Sequence, residues 1–303
     1  MLSRNADCIY WMSRHMERAE NLARLLDALY QISLLPGTLD NESLSSPLSL
    51  SATQAQYTHL GAPLTIENIL KFCTLNRQNQ ASLYNCLRQA RDNAHVVRGI
   101  ITSEMWESIN TTWLQLQEMT HQHQSAQGYR RFLEWVKERS HLFRGVTFGT
   151  IRRNQAFGFS RIGTFIERSD NTLRILLIQA NAAHDTAHSW EILLQSLAAL
   201  ESYREVYRNR ITPRSVAELL LLNETFPRSL HASVLEINQT LALIEGPQGR
   251  ECQRLCAALL ANLRYGAIDS VLQSGLVPAI LEFLDTITQF SLQIQSAYLE
   301  GNL

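Results

Sequence analysis

Lysine is nearly absent from this chain: Lys71 and Lys137 are its only two, and the other 25 of its 27 basic residues are arginine. Arginine pairs bidentately with carboxylate or phosphate and tolerates burial better than lysine, so the bias suits internal charge networks; an arginine-rich genome would produce it equally well. Glycine (13) and proline (7) are scarce in 303 residues. Strand-like alternation is rare as well, which argues against a sheet protein and for a helical one. An excess of charge of one sign is also missing. A net charge of −1 gives no electrostatic case for a nucleic-acid or anionic-membrane partner. There is no uncharged apolar run of about 18 residues and no basic segment followed by an apolar one at the start, so a cytoplasmic location is expected.

Cysteine is sparse, odd in number and without a CxxC pair. Cys8, Cys73, Cys86, Cys252 and Cys256 read as buried reduced thiols rather than a disulfide framework. Nor is there a nucleophile triad, Walker loop or dinucleotide fingerprint, so no motif names a reaction or calls for a cofactor. Metal chemistry finds no support either. His121 and His123 fall in a polar connector, and His141, His184, His188 and His231 make no HExxH pattern. Glu17 and Glu20 lack the ExxH partner of a di-iron bundle.

What the chain does contain is one segment written twice. Met16-Glu-Arg-Ala-Glu-Asn-Leu-Ala-Arg-Leu-Leu26 reappears 150 positions later as Ile166-Glu-Arg-Ser-Asp-Asn-Thr-Leu-Arg-Ile-Leu176. Every polar position is kept: Glu17 and Glu167, Arg18 and Arg168, Glu20 and Asp170, Asn21 and Asn171, Arg24 and Arg174. A weaker second block pairs Leu75-Asn76, Ser82-Leu83 and Leu87 with Leu222-Asn223, Ser229-Leu230 and Val234 at an offset of 147. The expected architecture is therefore all-α, a multi-helix bundle of two similar halves, about 1–150 and 151–303, arisen by internal duplication and packed as one domain.

Helical periodicity covers 4–32, closed by Pro36-Gly37, then 65–74, 80–101, 104–120 and 129–145. The Ser- and Thr-rich stretch to Leu64 reads as a loop with a short helix near 52–58, and His121 to Gly128 as a connector. A second long helix spans about 153–182, and 187–210 carries the apolar stripe Trp190, Leu193, Leu194, Leu197 and Leu200. Thr212 and Pro213 form an N-cap with proline at the first helical position, opening a helix through Leu222. Pro227 opens another to about Ile244, Gly246 to Gly249 turn the chain, and helices over 250–273 and 278–299 finish it.

At about 100° per residue, Glu17 and Arg18 point apart and cannot neutralise each other. The first motif helix reads as amphipathic. The second is apolar nearly all round, with Ile175, Leu177 and Ile178 among its polar residues, and is expected to be buried. Glu20 with Arg24 and Asp170 with Arg174 are i,i+4 pairs of favourable orientation, worth about 0.2–0.5 kcal/mol when exposed. Glu17, Arg18, Glu167 and Arg168 must each look to another helix or to a ligand: they form either an ion-pair lock or the lining of a polar cavity. In the cavity reading Glu17 and Glu167 are general-base candidates, and Arg18, Asn21, Arg24, Arg168, Asn171 and Arg174 are ligand holders. Tyr203, Arg204 and Arg208, with Tyr207, Arg210 and Arg214, make a second anion-binding candidate, Arg204 and Arg208 sharing a helical face; pairing with Glu201 and Glu205 is the plainer account.

These residues carry a family resemblance. Met1-Leu-Ser-Arg4, Tyr10-Trp-Met12 and Glu17-Arg-Ala-Glu-Asn21 resemble the bacterial alpha-E family, a helical domain with a repeated Glu-Arg motif. So do Ala90-Arg-Asp-Asn-Ala94, Val97-Arg98, Ser103-Glu-Met-Trp-Glu107, Phe143-Arg-Gly145, Glu201-Ser-Tyr-Arg204, Tyr207-Arg208 and Pro227-Arg-Ser229. Gln80-Ala81-Ser82 departs from the pattern, which commonly has Asn-Pro before that serine. The resemblance implies work beside an ATP-grasp amide ligase of circularly permuted type and a transglutaminase-like peptidase, on a small peptide or amide metabolite, as a partner or co-catalytic subunit. A stand-alone enzyme for acyl or amide transfer on an activated intermediate and a structural oligomerisation module are the alternatives. The resemblance carries over no catalytic residue.

Overall fold

A computed structural model describes the chain except for residues 35–38, 120–125, 183–186, 209, 245–248 and 301–303. Among the described residues every regular element is helical. They run α1 (Ser3–Ser33), α2 (Asn41–Leu50), α3 (Gln54–His59), α4 (Ile66–Thr74), α5 (Leu83–Val96), α6 (Ser103–Met119), α7 (Ala126–Thr150) and α8 (Gln155–Ala180). Then come α9 (Ala187–Ser196), α10 (Leu200–Tyr207), α11 (Pro213–Leu222), α12 (Leu230–Leu241), α13 (Arg250–Tyr265), α14 (Ile268–Val271) and α15 (Leu276–Ile294), which ends in a π-helical turn over Gln295–Leu299. No helix among the described residues is long and apolar enough to cross a membrane.

The chain divides into two compact units, residues 15–151 in one and residues 1–14 with 152–303 in the other. In the first, α6 packs between α5 and α7. In the second, α8 packs against α12 and α15, and α12 against α13. Within the second unit the start of α1 approaches α8 so closely that a β-carbon on Gly163 would run into the backbone carbonyl of Tyr10.

Caps start many of these helices where short polar side chains stand ready to take an orphan N–H. Asp40 accepts from the Ser43 amide, Thr65 from Asn68, Asn154 from Ala156 and Phe157, and Thr212 from Ser215 with Pro213 at the first position, as its sequence predicts. The same two-step device recurs in each unit. Asn76 Oδ1 accepts from the Gln78 amide and Ser82 then caps α5; Asn223 Oδ1 accepts from the Thr225 amide and Ser229 then caps α12.

Several boundaries differ from expectation. Residues 41–50, read as loop, form α2: Asp40 caps it, Leu44 and Leu48 bury one turn apart, and Ser45, Ser46 and Ser51 return their hydroxyls to backbone carbonyls. Gly128, placed in a connector, lies inside α7. The stripe from Trp190 to Leu200 is buried as expected. It is nevertheless shared by two helices, because Ala198 adopts φ +51° between α9 and α10. Pro227 does not open α12; Ser229 does. The expected 250–273 helix stops at Tyr265, since Gly266 is extended and a β-carbon there would meet the Asn262 carbonyl oxygen at 2.5 Å. Pro36-Gly37, the connector residues His121 to Ser125, His184 and the turn at Gly246-Pro247-Gln248 lie outside the described residues.

All five cysteines are free and buried. Burial pushes the Cys73 and Cys256 thiols up to about 12 and Cys252 to about 11. The unfolded chain ionises these groups near 9 while the folded one holds them neutral, so their stabilising contribution is complete below pH 9 and is lost between about 9 and 12. The urea midpoint should therefore fall between pH 8 and pH 10.5, and iodoacetamide should modify the thiols only in the unfolded protein. Gly163→Ala would gain about 1 kcal/mol of helix propensity. It should still lower stability by about 1–3 kcal/mol, because backbone rather than a mobile side chain must yield; thermal denaturation checks the sign.

Candidate functional site

The first Glu-Arg segment lies on α1 in the unit formed by 15–151, and its polar side is not exposed. Glu17 keeps 1 % of its surface, Glu20 none and Asn21 2 %. The apolar side is equally covered: Met16, Ala19, Leu22, Ala23 and Leu26 are all buried. The expectation of an amphipathic first helix is thus corrected. Both motif helices are buried nearly all round, because α7 brings polar groups of its own to the charged side of α1.

Arg144 on α7 is the group that makes this tolerable. Its Nη1 donates to Glu17 Oε2 at 3.0 Å, to Glu20 Oε2 at a very short distance, and to Ser140 Oγ at 3.1 Å. Ser140 in turn donates to Glu20 Oε2 at 2.9 Å. The other Glu20 oxygen accepts from Arg24 Nε at 2.8 Å and lies 3.3 Å from His141 Nε2. Desolvation pulls the Arg144 guanidinium down, but the Glu17 and Glu20 carboxylates together outweigh it and hold its pKa above the ordinary arginine value. A further buried acid, Asp27, is met by Lys137 Nζ at 2.9 Å. One of the chain's two lysines is therefore spent inside a structural pair.

The second segment, on α8, lies in the other unit. Glu167 is 5 % exposed, and its Oε2 accepts from Arg14 Nε at 2.8 Å. Arg14 also donates to Tyr10 Oη at 3.1 Å and stacks on Trp11, its guanidinium carbon 4.7 Å from the ring centroid. Tyr10 Oη is hydrogen-bonded to Ser291 Oγ on α15 at 3.0 Å, which ties α1, α8 and α15 into one polar seam. Arg168 is buried as well. It donates to the Pro227 carbonyl at 3.2 Å and lies over Phe165. Asn171 is buried with its Nδ2 lacking a hydrogen-bond partner among the described residues. Arg174 meets Asp170 at 2.6 Å in the expected i,i+4 pair, with 43 % of its side chain in water.

The residues singled out from sequence therefore fall into separate groups. Glu17 and Glu20 meet at Arg144, with Arg24 on the other oxygen of Glu20; Glu167 is joined to Arg14; Arg18 is half-buried on α1. Sequence reasoning placed the two acids correctly as needing partners on other elements but named neither arginine as that partner. Arg144 was visible only as the middle of Phe143-Arg144-Gly145. Arg14 was visible only as a residue one turn before the motif.

The aromatic and basic cluster after α9 is not gathered on one helical face. Tyr203 is fully buried and donates to the Arg210 carbonyl at 3.3 Å. Arg204 and Arg208 do not share a helical face, because α10 ends at Tyr207 and Arg208 turns the chain at φ +53°. Arg204 pairs with Glu191 at 2.9 Å, not with Glu201 or Glu205. Arg214 holds Asp269 through two nitrogens. Tyr207 beside it is pushed well above the ordinary phenol value by burial and by Glu218. His231 is buried against the Leu222 carbonyl at 2.9 Å, and no group of three metal-ligating side chains occurs among the described residues.

Removing Arg144 would leave two buried carboxylates facing one another, and breaking a buried pair costs about 3–5 kcal/mol. Arg144→Ala should lose stability of that order in urea denaturation. Arg174→Ala, at a partly exposed i,i+4 pair, should lose only about 0.5 kcal/mol.

The Alpha-E family model, described as a predicted alpha-helical domain with a conserved ER motif, matches residues 1–299. No curated protein and no solved structure matches the chain.

Proposed function

This chain belongs to the Alpha-E family, and on that premise we propose that it works as a partner or co-catalytic subunit of an ATP-grasp amide ligase, in the synthesis or modification of a small peptide or amide metabolite. One observation carries the preference for partnership over independent catalysis: the motif acids are tied up. Glu17 and Glu20 share Arg144, and Glu167 is held by Arg14, in each case with almost no water contact. A general base needs a pKa near the operating pH and an open path to the proton it takes. Carboxylates sealed from solvent and paired to arginine lack that open path, and their arginines are committed to them rather than to a substrate anion. The motif is better suited to hold helices together, leaving the chain's outer surfaces to meet a partner.

The repetition fits the same reading. We infer that the two segments descend from one ancestral half. The five paired polar positions support this, and so does the Asn turn followed by a Ser cap that precedes both α5 and α12.

The experiment is co-expression with an ATP-grasp amide ligase of circularly permuted type from the same organism, followed by size-exclusion chromatography and titration calorimetry. A stable complex at about micromolar concentration, near −8 kcal/mol, with ligase turnover raised by the complex, is the expected result. Two proteins that elute separately and leave each other's activity unchanged would overturn the proposal. Arg174→Ala, at the partly exposed Asp170 pair, serves as a control whose fold thermal denaturation should show intact.

A further inference from the structure

Positive charge stops abruptly near the end of the chain. Residues 265–303 contain Asp269, Glu282, Asp285 and Glu300 and no lysine, arginine or histidine at all, which leaves the remainder of a chain of net charge −1 on the positive side. Just past Arg264, the last basic residue, the end of α13 together with α14 and α15 lines a groove of about 660 Å³, within the range that small ligands and short peptide stretches fill. Asn262, Tyr265, Ser270, Val271, Glu282 and Phe283 line it.

The groove is built rather than incidental. Its corner is Gly266, where a β-carbon would meet the Asn262 carbonyl oxygen at 2.5 Å; only glycine lets α13 end there and the chain turn straight into α14. Tyr265, immediately before the turn, holds 83 % of its surface in water, an unusual position for a large aromatic ring in a folded protein. Glu282 is the one formally charged group in the lining, and it makes no ion pair among the described residues. Asp285 stands one turn further along α15 and accepts from Gln289. Asp269, the other acid near the groove, is already taken by Arg214.

We propose that this groove binds a basic peptide segment of another protein, one that sets an arginine against Glu282 and Tyr265 and an aliphatic side chain against Val271 and Phe283. Charge complementarity selects the occupant. A lone carboxylate with a second one turn away repels anions, which excludes phosphate-bearing and carboxylate ligands, and one carboxylate is too few for a metal ion. A guanidinium satisfies both polar features at once, pairing with Glu282 through its edge while its face lies on the Tyr265 ring, which an ammonium does less well. The Asn262 amide and Ser270 hydroxyl are neutral partners suited to peptide N–H and C=O groups. The site belongs to one unit and does not depend on the ligase partnership proposed above.

The test uses the full chain and three synthetic octapeptide libraries, identical except for arginine, lysine or glutamate fixed at one position, read by fluorescence anisotropy. The arginine library should bind at least about tenfold more tightly than the glutamate library, and Glu282→Gln and Tyr265→Ala should each weaken it by about tenfold. Both changes are at surface positions, so thermal denaturation should show the fold intact. Glu224→Gln, an exposed acid away from the groove, should leave binding unaltered. Equal binding of all three libraries, no binding of any, or the same loss in Glu224→Gln would overturn the proposal. So would a concentration-dependent dimer that Glu282→Gln abolishes, since the occupant would then be a second copy of this chain.

Discussion

Two carboxylates one turn apart on α1, both out of water, need a cation between them, and Arg144 is that cation. A buried carboxylate without a partner costs several kcal/mol, comparable to a large share of a domain's net stability. Glu17 and Glu20 therefore constrain where α7 lies against α1 and in what register, since Ser140 and Arg144 must both arrive on the same side. Lys137 and Asp27 continue the match along the same two helices, and His141 and Arg24 close it at the edge. In the other unit Glu167 imposes the same demand and receives a different answer, Arg14, which also joins Tyr10 and the Ser291 hydroxyl. The repeated Glu-Arg string thus has a physical account that requires no ligand: each acid must find an arginine brought from elsewhere in the chain.

The arginine inside the motif has a separate role from the acid beside it. Adjacent residues on a helix point about 100° apart, so Arg168 turns away from Glu167 toward the Pro227 carbonyl and the face of Phe165. A guanidinium can satisfy a carbonyl and cover an aromatic ring together, which lysine does poorly. The scarcity of lysine noted in the sequence becomes intelligible at such places, and at Arg161, which pairs with Glu236 at 2.5 Å while lying over Phe165. Arginine here works partly as packing material.

Helix starts were legible where a short polar residue preceded an apolar repeat, as at Thr212-Pro213, because that signal is local and its chemistry is complete within four residues. Helix α2 escaped notice because its serines and proline read as breakers. Its formation depends on the Asp40 cap and on Leu44 and Leu48 finding a core to enter, and only the second of these is tertiary. The division of 187–210 into α9 and α10 escaped because an alanine at φ +51° carries no sequence mark. The face expected to be shared by Arg204 and Arg208 is absent for a like reason: it exists only while the helix continues, and Arg208 turns the chain.

Composition and periodicity were enough to establish an all-helical chain, buried reduced thiols and a pair of segments whose charges could not be neutralised by their own neighbours. These properties follow from local propensity, burial preference and the fixed geometry of a helix, all of which are written residue by residue. Which arginine answers which glutamate depends on side chains separated by more than a hundred positions, Glu17 from Arg144 and Arg14 from Glu167. Charge pairing at such distance along the chain has no period and no spacing rule, so only the packing of α7 on α1 and of α8 on the start of α1 could decide it.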